Sequence, residues 1–194
     1  MTFFIGISGG SSSGKTTLAN YLVNEFGSQY CSVIAISNYR ENNDESLDLD
    51  HPSSINSTKL SKDLDSLKAG KEIAVSTGNR TQSIDIIEPK SIIILEGNLL
   101  LAFESIRNRM DYLIYRDCPE EIRNRRAADK SEARLQTDQQ NSSIMHDLFI
   151  EPFKHKADYI TLHQDNLNEV ATRIALVVKS STLDKAEDLA SLDS

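Results

Sequence analysis

The sequence predicts a three-layer α/β/α fold: a mainly parallel sheet with helices on both faces over residues 1–178, then a polar C-terminal tail at 179–194. Three observations predict it. Apolar runs of strand length alternate with helical spacings along the whole chain. The run Ser91-Ile92-Ile93-Ile94-Leu95 is the most apolar of all, as a parallel strand buried on both faces requires. No repeat and no linker splits the alternation into two units.

The first strand, Phe3-Phe4-Ile5-Gly6-Ile7, leads into Gly9-Gly10-Ser11-Ser12-Ser13-Gly14-Lys15-Thr16. A helix follows, with apolar residues at 18, 19, 22, 23 and 26. A G-x-x-x-x-G-K-[ST] run between strand and helix is a phosphate-binding loop, so the expected fold is that of the P-loop NTPases, with a small lid and flap. Glycines let backbone N–H groups turn inward around an anion, and the helix N-terminus adds a favourable partial charge. Gly9, Gly10, Ser11, Ser12, Ser13, Gly14, Lys15, Thr16 and Thr17 are therefore the candidate nucleotide-binding residues. Lys15 can reach the β- and γ-phosphates, and the Thr16 hydroxyl can ligate Mg²⁺. The alternative is a flexible Gly/Ser turn. Four specified positions match by chance in roughly one chain of this length in a hundred, and the strand–helix context makes a chance match rarer still.

Residues 31–37 read as a second, β-branched strand, and the polar, acidic stretch 38–54 as a loop beyond its carboxyl end. His51-Pro52-Ser53-Ser54 is expected to open a helix with Leu60, Leu64 and Leu67 on one face, stopped by Gly70. Runs at 73–75 and 84–87 flank Gly78-Asn79-Arg80 and read as a short hairpin. The central strand 91–95 ends in Glu96-Gly97. Strand 111–115 precedes a helix with Pro119 in its first turn, carrying Arg123, Arg125 and Arg126. Residues 130–141 are polar, 144–150 restart a helix that Pro152 interrupts, and 157–162 form the last strand. An amphipathic helix at 167–178 closes the fold, and 179–194 is expected to be a loose tail or a frayed extra helix.

Composition excludes several classes of partner. With 21 basic and 29 acidic residues the net charge is −8, which argues against a nucleic-acid or anionic-membrane surface. Cys31 and Cys118 are too few for a disulfide framework and suit a reducing compartment. No stretch approaches the ~20 apolar residues of a membrane span. The chain begins on a core strand with no signal-peptide pattern, so a cytoplasmic location is expected. The loop motif alone leaves kinase, GTPase, motor and transporter ATPase open. No N-K-x-D occurs, which argues against guanine recognition, and a single acid precedes Gly97 where motor-type ATPases carry two.

Beyond the loop, the chain resembles the uridine kinase and phosphoribulokinase group of small-molecule P-loop kinases. Residues 5–17 are similar to that family's opening. Asp50-His51-Pro52 resembles its D-H-P, followed by L-x-x-L-x-x-G at Leu64, Leu67 and Gly70. Ile94-Leu95-Glu96-Gly97 resembles its strand-plus-E-G, Arg125-Arg126 with Asp129 the entry to its lid, and Ile150-Glu151-Pro152 with Ala157-Asp158 its approach to the last strand. The likeness covers roughly residues 3 to 178.

The resemblance implies transfer of the ATP γ-phosphoryl group, with Mg²⁺, to a hydroxyl of a small molecule, most often a nucleoside. It implies Lys15, Asp50 and Arg126 as catalytic residues, Thr16 and Glu96 as metal-binding, and Asn38, Tyr39, Asp50 and Arg80 as substrate-binding. Arg123, Arg125, Arg126 and Arg134 are lid-charge candidates, or else a solvated basic helix face. Glu96 is otherwise a surface acid at a strand end, and Asp50 otherwise a helix cap. His51 reads as structural, and His146, His155 and His163 show no metal-ligand spacing.

Three departures alter the expectation. The family's base, an Asp in a D-x-[FY]-Y context, falls in Ser37-Asn38-Tyr39-Arg40, with Asn38 taken as its position and Glu41 as the first carboxylate. Proton removal is then either unassisted or done elsewhere, with Glu41, Asp44, Glu45, Asp48 and Asp50 as the candidates to substitute. The flap's pyrimidine-reading Tyr and His are absent, and Arg80 is the one flap residue retained as a candidate. The lid's R-D pair reads Ala128-Asp129. The function expected is thus an ATP-dependent kinase of the uridine kinase type with an altered acceptor pocket. The alternative is a nucleotide-binding regulatory or assembly protein of this fold that has lost catalysis. The expected partner is a nucleoside or riboside, with no nucleic acid and no membrane, and a homo-oligomer is compatible with the sequence.

Overall fold

The computed structural model describes residues 2–41, 50–77, 83–129 and 136–192. The strands β1 (Phe3–Ser8), β2 (Cys31–Ala35), β5 (Ile92–Glu96), β6 (Tyr112–Asp117) and β7 (Tyr159–Leu162) form a sheet in the order β2-β5-β1-β6-β7. Every pairing in it is parallel. The strands β3 (Ile73–Thr77) and β4 (Ser83–Ile87) make a separate antiparallel hairpin, as the sequence predicts.

Side chains on a strand alternate between faces, and here each face meets its own helices. Ile5 and Ile7 of β1 and Ile92 and Ile94 of β5 pack with Leu18 and Leu22 of α1 (Lys15–Phe26). Val170 and Ile174 of α6 (Leu167–Leu192) complete that layer. On the other face Phe4, Ile93 and Leu95 pack with Leu60, Leu64 and Leu67 of α2 (Ser57–Lys68) and Ile106 of α3 (Glu104–Arg107). This is the three-layer α/β/α arrangement. The middle strand β1 has β5 on one side and β6 on the other, so the loop after it leaves at the topological switch point, where such sheets bind ligands.

Several boundaries differ from the sequence reading. The helix expected from His51 begins at Ser57. Asn56 caps it by accepting from the Lys59 N–H at 2.8 Å, while Pro52–Ser54 is a separate 3₁₀ turn capped by His51. The cap contributes about 1 kcal/mol, whereas each of the three buried leucines contributes roughly 1.5–3 kcal/mol; packing, not capping, makes α2. Pro119 sits just before α4 (Glu120–Ala128), at the N-cap and not in the first turn. The helix expected at 144–150 starts earlier, as α5 (Gln136–Phe149). Backbone helix α6 runs unbroken from Leu167 to Leu192, so residues 179–192, expected as a loose tail or a frayed extra helix, continue the closing helix. Arg80, Arg134, Asp44, Glu45 and Asp48 lie outside the described residues.

Candidate active site

The loop between β1 and α1 is built for close approach. Gly9 has φ +144°, and a Cβ there would lie 2.4 Å from the Arg116 carbonyl oxygen of β6. Gly14, with φ +99°, is the left-handed N-cap of α1. Lys15, Thr16 and Thr17 begin that helix, and the Lys15 Nζ donates to the Gly10 carbonyl at 2.8 Å. Arg126 of α4 lies against the loop from the other side, its Nη1 3.4 Å and 3.3 Å from the Ser12 and Ser13 carbonyls. Arg123 is buried behind Gly10, and its Nε donates to the Cys118 carbonyl. Arg125 is exposed.

A cleft of about 200 Å³ opens beside the loop. Lys15, Thr16 and Glu96 line it, and so do Ser37, Asp50 and Asn98. The Thr16 hydroxyl donates to Glu96 Oε1 at 3.1 Å, so residues 80 positions apart meet where β5 and α1 converge. Asp50 stands in the same cleft. Its Oδ1 accepts from Asn98 Nδ2 at 3.0 Å and its Oδ2 from the Ser142 hydroxyl of α5 at 3.0 Å. Arg40 Nη2 lies 3.8 Å from Oδ1. Asn98 is itself anchored, its carbonyl accepting from the Ser8 hydroxyl at 2.9 Å. Asp50 is therefore no helix cap.

Two substrate-side expectations find other positions. Tyr39 is 2% exposed, packs in the α2 core and donates its hydroxyl to Asp63 at 2.9 Å. Ser37 lines the cleft and Asn38, half-buried on the 3₁₀ turn Ile36–Tyr39, does not. Because its side chain does not line the cleft, Asn38→Asp is expected to change turnover by no more than about twofold. A rise of tenfold or more in an ADP-release assay would return Asn38 to the site. Glu41 faces Asn56, accepting from its Nδ2 at 2.5 Å, and is not among the cleft residues.

The donor set suits a hard cation. A threonine hydroxyl and a carboxylate touch at the open end of a phosphate loop, and Mg²⁺ binds through one or two protein oxygens with phosphates and water completing its shell. Among the described residues no three His, Cys, Asp or Glu side chains converge as a metal cage. Burial pushes the Cys31 thiol up to about 11 and the Cys118 thiol also upward, so neither is an activated nucleophile near neutral pH. Sequence reading passed over Arg40, Asn98, Arg116 and Ser142. Asn98 alone had a local signal, following the Glu96-Gly97 pair directly.

A glycine-rich loop at the switch point of a parallel sheet, with a hydroxyl and a carboxylate in contact at its mouth, defines a protein of the P-loop class. The chain belongs to the phosphoribulokinase / uridine kinase family, whose model matches residues 4–164. It is 34% identical to the uridine kinase of Staphylococcus aureus and 31% identical to that of Clostridium perfringens. Each alignment spans 204 positions, covering 95% of this chain and 98% of the relative. Solved structures share the fold. A possible uridine kinase from Bacillus stearothermophilus superposes with a TM-score of 0.58 at 22% identity, over 82% of this chain and 88% of that one. Shikimate kinase from Acinetobacter baumannii gives 0.56 at 14% identity, over 94% and 96%. No helix among the described residues is long and apolar enough to cross a membrane.

Proposed function

We propose that the protein transfers the γ-phosphoryl group of ATP to a hydroxyl of a small molecule, a nucleoside or riboside, with Mg²⁺ as cofactor and residues 1–178 as the kinase domain. The observation that carries this reading is the shared cleft: Thr16 and Glu96 in contact at 3.1 Å, with Asp50 facing the same space. Phosphoryl transfer asks for positioning and charge more than for covalent help. In this reading the loop N–H groups and Lys15 hold the phosphates, and Arg126 adds positive charge beside the Ser12–Ser13 turn. Thr16 and Glu96 would hold Mg²⁺, which when bound neutralises charge on the phosphates. Asp50, held by Asn98 and Ser142, orients the acceptor hydroxyl and takes its proton.

ATP consumption measured against nucleosides, ribosides, pantothenate and sugar acids tests the reading. Turnover on a nucleoside or riboside is the expected result. Nucleotide binding with no acceptor consumed would instead support a regulatory protein of the same fold. Glu96→Gln is expected to lower activity about 10–100-fold and to raise the Mg²⁺ concentration needed, with metal-free nucleotide binding unchanged. An unchanged Mg²⁺ titration at fixed ATP would reduce Glu96 to a structural acid.

A further inference from the structure

Beside the phosphate loop lies a buried cation that this reading does not use. Arg116, near the end of β6, is 3% exposed. Its Nη1 donates to the Thr161 hydroxyl at 2.9 Å and to the Leu162 carbonyl, and its Nη2 donates to the His163 carbonyl at 3.0 Å. The guanidinium is thereby fixed against the chain that leaves β7. Its Nε is buried and has no hydrogen-bond partner among the described residues.

The direction in which that nitrogen faces is informative. Among the described residues, a Cβ built on Gly14 would have two neighbours within 4 Å apart from the adjoining residues: Arg116 Nε at 3.8 Å and Arg126 Nη1 at 3.9 Å. The space over Gly14, at the N-terminus of α1, is therefore flanked by two guanidinium groups. Arg116's own bonds go to a hydroxyl and two carbonyls, all neutral. Asp165 helps balance the charge at a distance, bonding the Thr161 hydroxyl through its Oδ2 at 3.0 Å. Burial pulls the Arg116 pKa below its ordinary value, Asp165 pushes it back up, and Arg126 lowers it further. A buried charge with an unused donor is costly unless an anion comes to it.

We propose that Arg116 is a phosphate-binding residue, its Nε–H donating to a phosphate oxygen of the nucleotide seated over Gly14, across from Arg126. This rests on the loop being a nucleotide site and goes beyond it by assigning the second flanking cation. Because three acceptors already hold the guanidinium, it is preorganised before the nucleotide arrives. It binds ground state and transition state alike, so its loss raises Kd and KM for the donor more than it lowers kcat.

The test measures binding of inorganic tripolyphosphate and of ADP, without acceptor, to the wild type and to Arg116→Gln. One charge-assisted hydrogen bond corresponds to a loss of about tenfold or more, and both ligands should lose affinity by the same factor. If Arg116 only braces residues 161–163, tripolyphosphate affinity will be unchanged, which overturns the proposal. Should the substitution impair folding, the Arg116 Nε–H resonance of the wild type decides: it should shift when tripolyphosphate is added, and a stationary resonance overturns the proposal. A wild type that binds neither ligand would sink the nucleotide-site reading and this inference together. Equal binding by wild type and variant would sink this inference alone.

Discussion

Lys15→Ala is expected to lower phosphoryl transfer by on the order of 10²–10³-fold, the loss seen when one preorganised charge or donor is removed from a transition state. The Lys15 ammonium sits at the first turn of α1, held over the loop by the Gly10 carbonyl at 2.8 Å, within the cleft that also holds Thr16 and Glu96. Its position lets it follow charge that spreads over the transferring group. Nucleotide affinity should fall as well, because the same cation meets the ground-state phosphates. The fold should survive, since the sheet and its two apolar layers do not involve this side chain. Single-turnover kinetics, nucleotide titration and a melting curve on the same variant separate these effects. Wild-type turnover would remove Lys15 from the mechanism.

What could be read from the sequence was what local pattern encodes. The strand–loop–helix around Gly14 and Lys15 and the acid at the end of β5 are each contained in a few consecutive residues, and the alternating faces of β1 and β5 follow from period-two spacing. Asp50 was legible, through its likeness to the family's D-H-P, only with an alternative, because an acid before Pro52 also reads as a helix cap. Contacts from distant segments decide it, Asn98 and Ser142 on its oxygens and Asn56 in the capping position. Tyr39 was misplaced because an aromatic beside a site and an aromatic in a core leave the same local trace. Arg116 was invisible for a related reason. One arginine at the end of an apolar strand looks like the strand's exit to solvent, and its partners lie 45 to 47 residues further on. After Val178 the apolar residues Leu183, Ala186, Leu189 and Leu192 keep a helical spacing but stand among Ser, Asp and Lys, so local pattern leaves the continuation of α6 open between coil and helix.

Asp50→Asn is expected to lower kcat by about 10²–10⁴-fold, the contribution of a positioned general base. It should also raise the acceptor's KM and leave ATP affinity unchanged. The substitution is mild for the fold. Asparagine retains one oxygen to accept from Asn98 Nδ2, and its new amide can donate to the Ser142 hydroxyl, which accepts as readily as it donates. What it loses is the ability to take a proton and one of the charged acceptors that orient a vicinal diol. The loss in kcat stays below total inactivation because the transition state is largely dissociative and needs the proton removed late. Kinetics with varied acceptor, nucleotide binding and thermal melting give three separate readouts. A lowered melting temperature with normal kcat and KM would make Asp50 a tether between the Gly97-Asn98 turn and α5. A fall in kcat with unchanged melting and unchanged ATP affinity identifies it as the group that meets the acceptor.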